Sequence, residues 1–379
     1  MQRHAEIAGG GIGGLALGMM LARNGWSVRV HERSPAIREL GAGIYLKNNS
    51  ISVFEHYGIF DRIRAQGTML DFARIRNVKG KLMQQRTLTG TRRYMALPRQ
   101  TLVDTLALAA REAGVDIELG SVIAAADPTG ALITESGKRL AADLVVGADG
   151  VHSCVRSSLN LGRGYRSLDT IINRYLIPSR AFTQEAVTTE HWSGNRRIGI
   201  APAGDHSYAY LVMPRKDSVA TRLPLQVETW ARSHPRLRNE LEIFAAAEAS
   251  QYPYGVVHCP KWTAGKVAII GDAAHGLPPT LGQGAGLTLM NAHALATIVT
   301  ASDTVEAGLV RWESTVRRIS DQTQRWALRY DSFTRQWPET LGALRPVVVW
   351  AFGYFSFLND RMRIADKGLD LAEFQAAIR

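Results

Sequence analysis

The sequence predicts an α/β fold: a discontinuous Rossmann-like nucleotide-binding domain, an antiparallel-sheet domain inserted in it, and a C-terminal helical segment. Three observations carry this. A strand, a glycine turn and a helix open the chain, residues 196–214 alternate with a two-residue period, and strand character returns near residue 267 before a second glycine-rich turn.

The elements follow in order. AEIAG reads as a strand, GGIGG as a turn, LALGMMLARNG as a helix and WSVRVHE as a second strand, together a βαβ unit. A helix begins near Pro98 and closes on Gly114; Leu144-Val145-Val146 is a continuous apolar run, as expected of a parallel strand covered on both faces. RRIGIAPAGDHSYAYLVMP reads as two strands joined by a Gly-Asp turn, hence an antiparallel hairpin. A helical stretch covers about 225–247. The boundaries expected are 1–70, 95–165 and 260–302 for the nucleotide-binding domain, 71–94 and 166–259 for the sheet domain, and 303–379 for the helical region.

Bulk composition narrows the classes. The chain has 379 residues, 46% of them apolar and 21% charged, enough for a substantial core. A formal charge of +11 is spread over scattered arginines, so a solvated basic surface, or steering of small anions to a cleft, is favoured over nucleic-acid binding. Cys154 and Cys259 form no metal-ligand spacing; no metal is expected, and no secretory signal is visible, so a cytoplasmic location is expected. The apolar run 347–358 is too short to span a bilayer and reads as a buried helix or a homodimer face.

Gly9, Gly11 and Gly14 form G-x-G-x-x-G, with Gly13 inside it, and Glu32 ends the following strand where a ribose-binding carboxylate is expected. Gly9 permits the tight turn, Gly11 the approach of a pyrophosphate, and Gly14 close packing of helix on strand. The helix start offers unpaired N–H groups to phosphates. A carboxylate at position 32 repels a 2′-phosphate, which points to FAD or NAD.

Two further motifs accompany the fingerprint. ADLVVGADGVHSCVR sets Asp149-Gly150 after a strand, with Arg156 close behind, and GDAAHGLPPTLGQGAG, residues 271–286, sets Asp272 after another. As a set, these three motifs over residues 1–300 resemble those of the single-component (group A) FAD-dependent aromatic hydroxylases of the para-hydroxybenzoate hydroxylase type. GAGIYL together with GQGAG and NA is most similar to the pyridine-ring oxygenases of the 2-methyl-3-hydroxypyridine-5-carboxylate oxygenase kind.

That resemblance implies tightly bound FAD and a transient NAD(P)H. It implies that Asp272 binds the ribityl chain, that Pro279 lies beside the ring where oxygen adds, and that Gly284, Ala285 and Gly286 meet the pyrimidine end. By the same likeness Asp149 serves FAD and the nicotinamide nucleotide, Arg33 and Val122 flank the adenosine half, and Arg99 reaches the phosphates. The implied reaction is hydroxylation of a small hydroxylated aromatic or pyridine-type acid by dioxygen through a flavin hydroperoxide, ring opening being compatible with it.

Gly41 and Gly43 suit close approach of backbone to the ring. For the substrate, the candidates are Tyr45 and Arg174, which match pocket positions of the pyridine oxygenases, with Arg196 or Arg197, Tyr208 and Tyr210. Neighbours on a strand point to opposite faces, so only one of Arg196 and Arg197 can face the flavin. Packing or surface roles stay open for each of these side chains. His275 reads as a capping or backbone-contact residue of the flavin-binding motif, not a general base. Other flavin oxidoreductases, or a flavin-binding protein without turnover, are the alternatives; the W-x-W-x-I-P signature of flavin halogenases is absent.

Overall fold

The computed structural model describes residues 2–38, 41–180, 182, 185–335, 337, 344, 347–348 and 361–366. Positions 349–358, most of the apolar C-terminal run, therefore lie outside the described residues.

A six-stranded sheet forms first in the chain. Its order is Thr263–Ala264, Val267–Ile269, Leu144–Gly147, His4–Ala8, Ser27–Glu32, Asp116–Leu119, all parallel except the first pair. The central strands are apolar on both faces because helices cover both: Ile7, Val30, Val145 and Val146 are fully buried. The helix Ile12–Arg23 crosses between the first two strands and packs on the helix Gly284–Thr300, with Leu15, Leu17, Leu289 and Leu295 at zero exposure in the same core. Each such side chain contributes about 2 kcal/mol by leaving water. The helix Val305–Arg335 lies against Gly284–Thr300 in turn.

A second sheet has seven strands: Ser250–Val257, Tyr165–Ile177, His206–Pro214, Arg196–Ala203, Val187–Ser193, Phe72–Asn77 and Leu82–Thr87. Alternation gives it two unlike faces. On one, Ile171, Tyr175, Ile198, Leu211 and Met213 pack against Trp230 and Phe244 from the helices Val227–Ser233 and Arg238–Ala246. The other face carries tyrosines, arginines and a carboxylate. A small sheet of Gly43–Lys47, Tyr94–Pro98 and Thr68–Met69 sits between the two larger ones. Among the described residues, no helix is long and apolar enough to cross a membrane.

His191, His234, His275 and His293 are each pushed down to about 4, chiefly by burial. The unfolded chain binds protons at these rings below about 6.5, and the folded chain does so only near 4. Stability is therefore lost as pH falls from about 6.5 toward 4. Thermal unfolding is expected to show a midpoint that drops by several degrees between pH 7 and pH 5; a midpoint unchanged across that interval would contradict the burial of these rings.

Candidate active site

The glycine turn after the first strand is tied on both sides. Gly9 N–H donates to His31 O at 2.8 Å, and Ala148 N–H to Ala8 O at 2.7 Å. Gly9 has φ +105°, and a Cβ on it would meet Ala148 O at 2.4 Å; a Cβ on Gly14 would meet Gly9 O at 1.9 Å. Only bare backbone fits at this crossing. Glu32 closes the turn, since its Oε2 accepts from Gly10 N–H at 2.9 Å and its Oε1 from Ser34 N–H at 2.8 Å.

The two later motifs meet beside this turn. Asp149 Oδ2 accepts from the N–H groups of Cys154 and Val155 at 2.8 and 3.2 Å, in the first turn of the helix Cys154–Ser158, whose N-cap is Ser153. Its Oδ1 is buried and has no partner among the described residues. Arg156, buried, donates to Val151 O and to Ala273 O, so it fastens the Asp-Gly loop to the Gly-Asp loop. Asp272 opens the helix Asp272–His275, and Pro279 opens a single 3-10 turn, Pro279–Leu281. In the helix Gly284–Thr300 the first backbone donor to find a carbonyl of its own turn is Leu287, bonded to Gln283 O; the amides of Gly284, Ala285 and Gly286 precede it. Gly284 has open space where a side chain would stand.

All of this borders one cleft of about 890 Å³, near the upper end of ligand sites of roughly 300–1,000 Å³. Gly9, Gly11, Gly13, Glu32, Arg33, Arg99, Val122, Asp149, Asp272, Pro279, Gly284 and Ala285 line it, as do Gly43, Tyr45, Arg174, Arg197, Tyr208 and Tyr210. Basic side chains outnumber acidic ones about two to one along its wall, which favours anionic ligands.

Pairing register explains the polar end. Gln84, Ile75, Glu190, Gly199, Tyr210 and Arg174 form one row across six strands. Arg86, Ala73, Thr188, Ala201 and Tyr208 form part of the next. Tyr45 reaches in from the small sheet, its ring centroid 5.4 Å from Tyr94, 5.6 Å from Tyr208 and 6.5 Å from Tyr210. Its hydroxyl shares a hydrogen bond of 2.9 Å with Thr188 Oγ1. Burial pushes the Tyr45, Tyr208 and Tyr210 phenols above their ordinary range, so they stay protonated and act as donors. The Arg174 Nε is buried with no partner among the described residues.

Four positions have a setting different from the one expected. Arg196 does not face the cleft: it donates to both oxygens of Asp217 from Nε at 2.7 Å and Nη2 at 3.1 Å, and its guanidinium lies over Trp230. Alternation turns it to the helix-covered face and Arg197 to the cleft. His275 neither caps nor lines the cleft; it is buried against Trp262 and bonded through Nε2 to Asn291 at 2.9 Å. Gly286 has its Cα side turned away from the cleft: a Cβ there would meet the Asn49 amide at 2.4 Å, so its small size serves helix packing, while its N–H remains among the first-turn amides. Gly43 borders the cleft, yet the space over it is filled by the Tyr208 ring, 2.4 Å from where a Cβ would stand.

Sequence reasoning missed Thr188, Glu190, Tyr94, Arg86 and Lys47. The alternation in VTTEHWS held the signal for Thr188 and Glu190, but nothing in one strand says which face is covered. Lys47 Nζ lies 3.7 Å from Asp366 Oδ1 and is pushed down by burial.

A family model described as FAD binding domain matches residues 3–326. The chain belongs to this FAD-binding family. A relative from Mycobacteroides abscessus named 2-heptyl-3-hydroxy-4(1H)-quinolone synthase is 34% identical over 343 residues, 86% of this chain and 89% of that one. A 6-hydroxynicotinate 3-monooxygenase from Bordetella bronchiseptica is 26% identical, covering 79% and 83%. The solved tetrameric form of 2-methyl-3-hydroxypyridine-5-carboxylic acid oxygenase superposes with a TM-score of 0.84 at 31% identity over 96% of both chains. The protein is an FAD-dependent monooxygenase of the aromatic-hydroxylase kind.

The chain's own atoms fit this cofactor. Two helix starts without side chains, a carboxylate set against the first of them, and the orphaned Asp149 oxygen offer donors to anionic groups and an acceptor to a hydroxyl. Gly14→Ala tests the crossing directly. It is expected to cost about 3 kcal/mol through overpacking and to release flavin, read as a lower denaturation midpoint and a weaker visible band; a variant with normal stability and flavin content would contradict the packing described.

Proposed function

We propose that this FAD-dependent monooxygenase uses NAD(P)H and dioxygen to hydroxylate a small N-heteroaromatic ring that carries an oxygen substituent or a carboxylate. One observation carries the reading: a face of tyrosines, with Arg174 and Arg197 at its polar edge, closes the same cleft as the glycine-built rim. The relatives named for quinolone, hydroxynicotinate and hydroxypyridine chemistry support it.

Each residue has a task in this reading. Gly9, Gly11, Gly13, Glu32, Arg33, Arg99, Val122, Asp149, Asp272, Gly284 and Ala285 hold the cofactor, which when bound supplies the redox chemistry and the activation of oxygen. The first-turn amides of the Gly284 helix stabilise negative charge in their vicinity. Pro279 shapes the rim and withholds an N–H there. Tyr45, Tyr208 and Tyr210 pack the substrate ring between their faces and exclude water. Arg174, whose Nε lacks a partner among the described residues, donates to the substrate's oxygen or carboxylate. The apolar Tyr45 cluster and the cationic edge together orient the ring toward the Pro279 rim.

Two measurements test this. NAD(P)H oxidation in the presence of hydroxypyridine carboxylates, hydroxynicotinates and 4(1H)-quinolones is expected to accelerate at least tenfold with a true substrate, with one atom of labelled dioxygen in the product. Peroxide equal to the NAD(P)H consumed with every ring would contradict it. Arg174→Ala is expected to raise KM for an oxygen-bearing ring about 30-fold, the loss of about 2 kcal/mol of charged hydrogen bonding, while Arg196→Ala leaves KM unchanged.

A further inference from the structure

Glu190 has no part in the reading above, yet it stands in the tyrosine cluster and borders the cleft. Its Oε1 accepts from the Tyr210 hydroxyl at 2.5 Å and its Oε2 from Trp192 Nε1 at 2.7 Å. The bond to Tyr210 skips a strand. Glu190 pairs with Gly199, and Gly199 with Tyr210. A Cβ on Gly199 would meet the Tyr210 ring at 2.0 Å, so the missing side chain is what lets that ring lean across to the carboxylate.

Two donors occupy one lone pair on each Glu190 oxygen, and a carboxylate has a second on each. Its charge is felt by Tyr45, Tyr94, Tyr210 and Tyr254, all of which it pushes upward, as well as by Arg197. Arg197, lying over the Trp192 ring at 5.9 Å, supplies the compensating charge nearby. Along the sheet row, Glu190 and Arg174 stand three strands apart, about 14 Å between Cα atoms at a spacing of about 4.8 Å. That separation is enough for one ring or two fused rings hydrogen-bonded between a carboxylate and a guanidinium. The row thus offers an acceptor at one end and donors at the other.

We infer that Glu190 is a specificity-determining residue that accepts a hydrogen bond from a ring N–H, selecting heteroaromatic substrates in their lactam form with the ring oxygen turned to Arg174. This rests on the heteroaromatic reading of the cleft. A ring nitrogen that presents a lone pair is repelled by the carboxylate, and an alkylated one has no proton to give and leaves the acceptor unpaired.

The test uses 4(1H)-quinolone and its N-methyl derivative, titrated against the FAD-loaded enzyme and followed by the shift of the visible flavin band. The wild-type protein is expected to bind the N–H compound at least tenfold more tightly. Glu190→Gln, whose amide can accept at one atom for which Tyr210 and Trp192 compete, is expected to reduce that preference to within about twofold at full flavin content. Equal binding of both compounds by the wild type, or a preference that survives in Glu190→Gln, overturns the role of Glu190 alone. Failure of the wild type to bind either compound overturns the heteroaromatic reading and this assignment together. The wild-type comparison stands without the variant, so poor folding of Glu190→Gln leaves a decisive result.

Discussion

Two helices must start on the same cleft with no side chains in the way, and the rest of the structure follows from that constraint. At the first start, Gly14 lies so close to Gly9 O that a single added carbon would part helix from strand. At the second, a side chain on Gly284 would meet nothing within 4 Å, and Gly284 and Ala285 border the cleft. A helix start is a fixed positive pole, and its cost is an unpaired backbone that some ligand must satisfy. Beside the two starts, Arg156 ties the Asp-Gly loop to the Gly-Asp loop through Ala273 O.

The inserted sheet supplies what the nucleotide-binding half lacks. Its central strands alternate, so one face is absorbed by Trp230 and Phe244 and the other is left to the cleft. That single alternation decides the fate of two adjacent arginines, one held by Asp217 and one lining the cleft with Tyr208 and Tyr210. Register then converts a sequence of isolated polar residues into a row that runs from a carboxylate to a guanidinium. Glycine has opposite uses in the two halves: at Gly9 and Gly14 it lets backbone meet backbone, and at Gly199 it lets one side chain lie where another would stand.

The fold class and the residues lining the glycine-rich rim were legible because glycine fingerprints are local: the spacing of Gly9, Gly11 and Gly14 has one geometric use. Arg197 was legible only as half of an alternative, since alternation separates neighbours without naming the covered face. His275 misled because its motif is local but its side chain turns inward to Asn291, a partner 16 residues away. Glu190 was silent for a similar reason. Its meaning comes from Gly199 and Tyr210, which only strand pairing brings to it.

The central claim is that the cleft holds the cofactor from end to end, adenosine half at the Gly9 turn and flavin half at the Gly284 turn. Equilibrium titration of flavin-stripped protein with FAD and with FMN tests it most directly, because FMN lacks the half assigned to the Gly9 turn and Glu32. The account predicts FAD bound at least about 100-fold more tightly, a difference of about 3 kcal/mol. Equal affinity for the two flavins would contradict it.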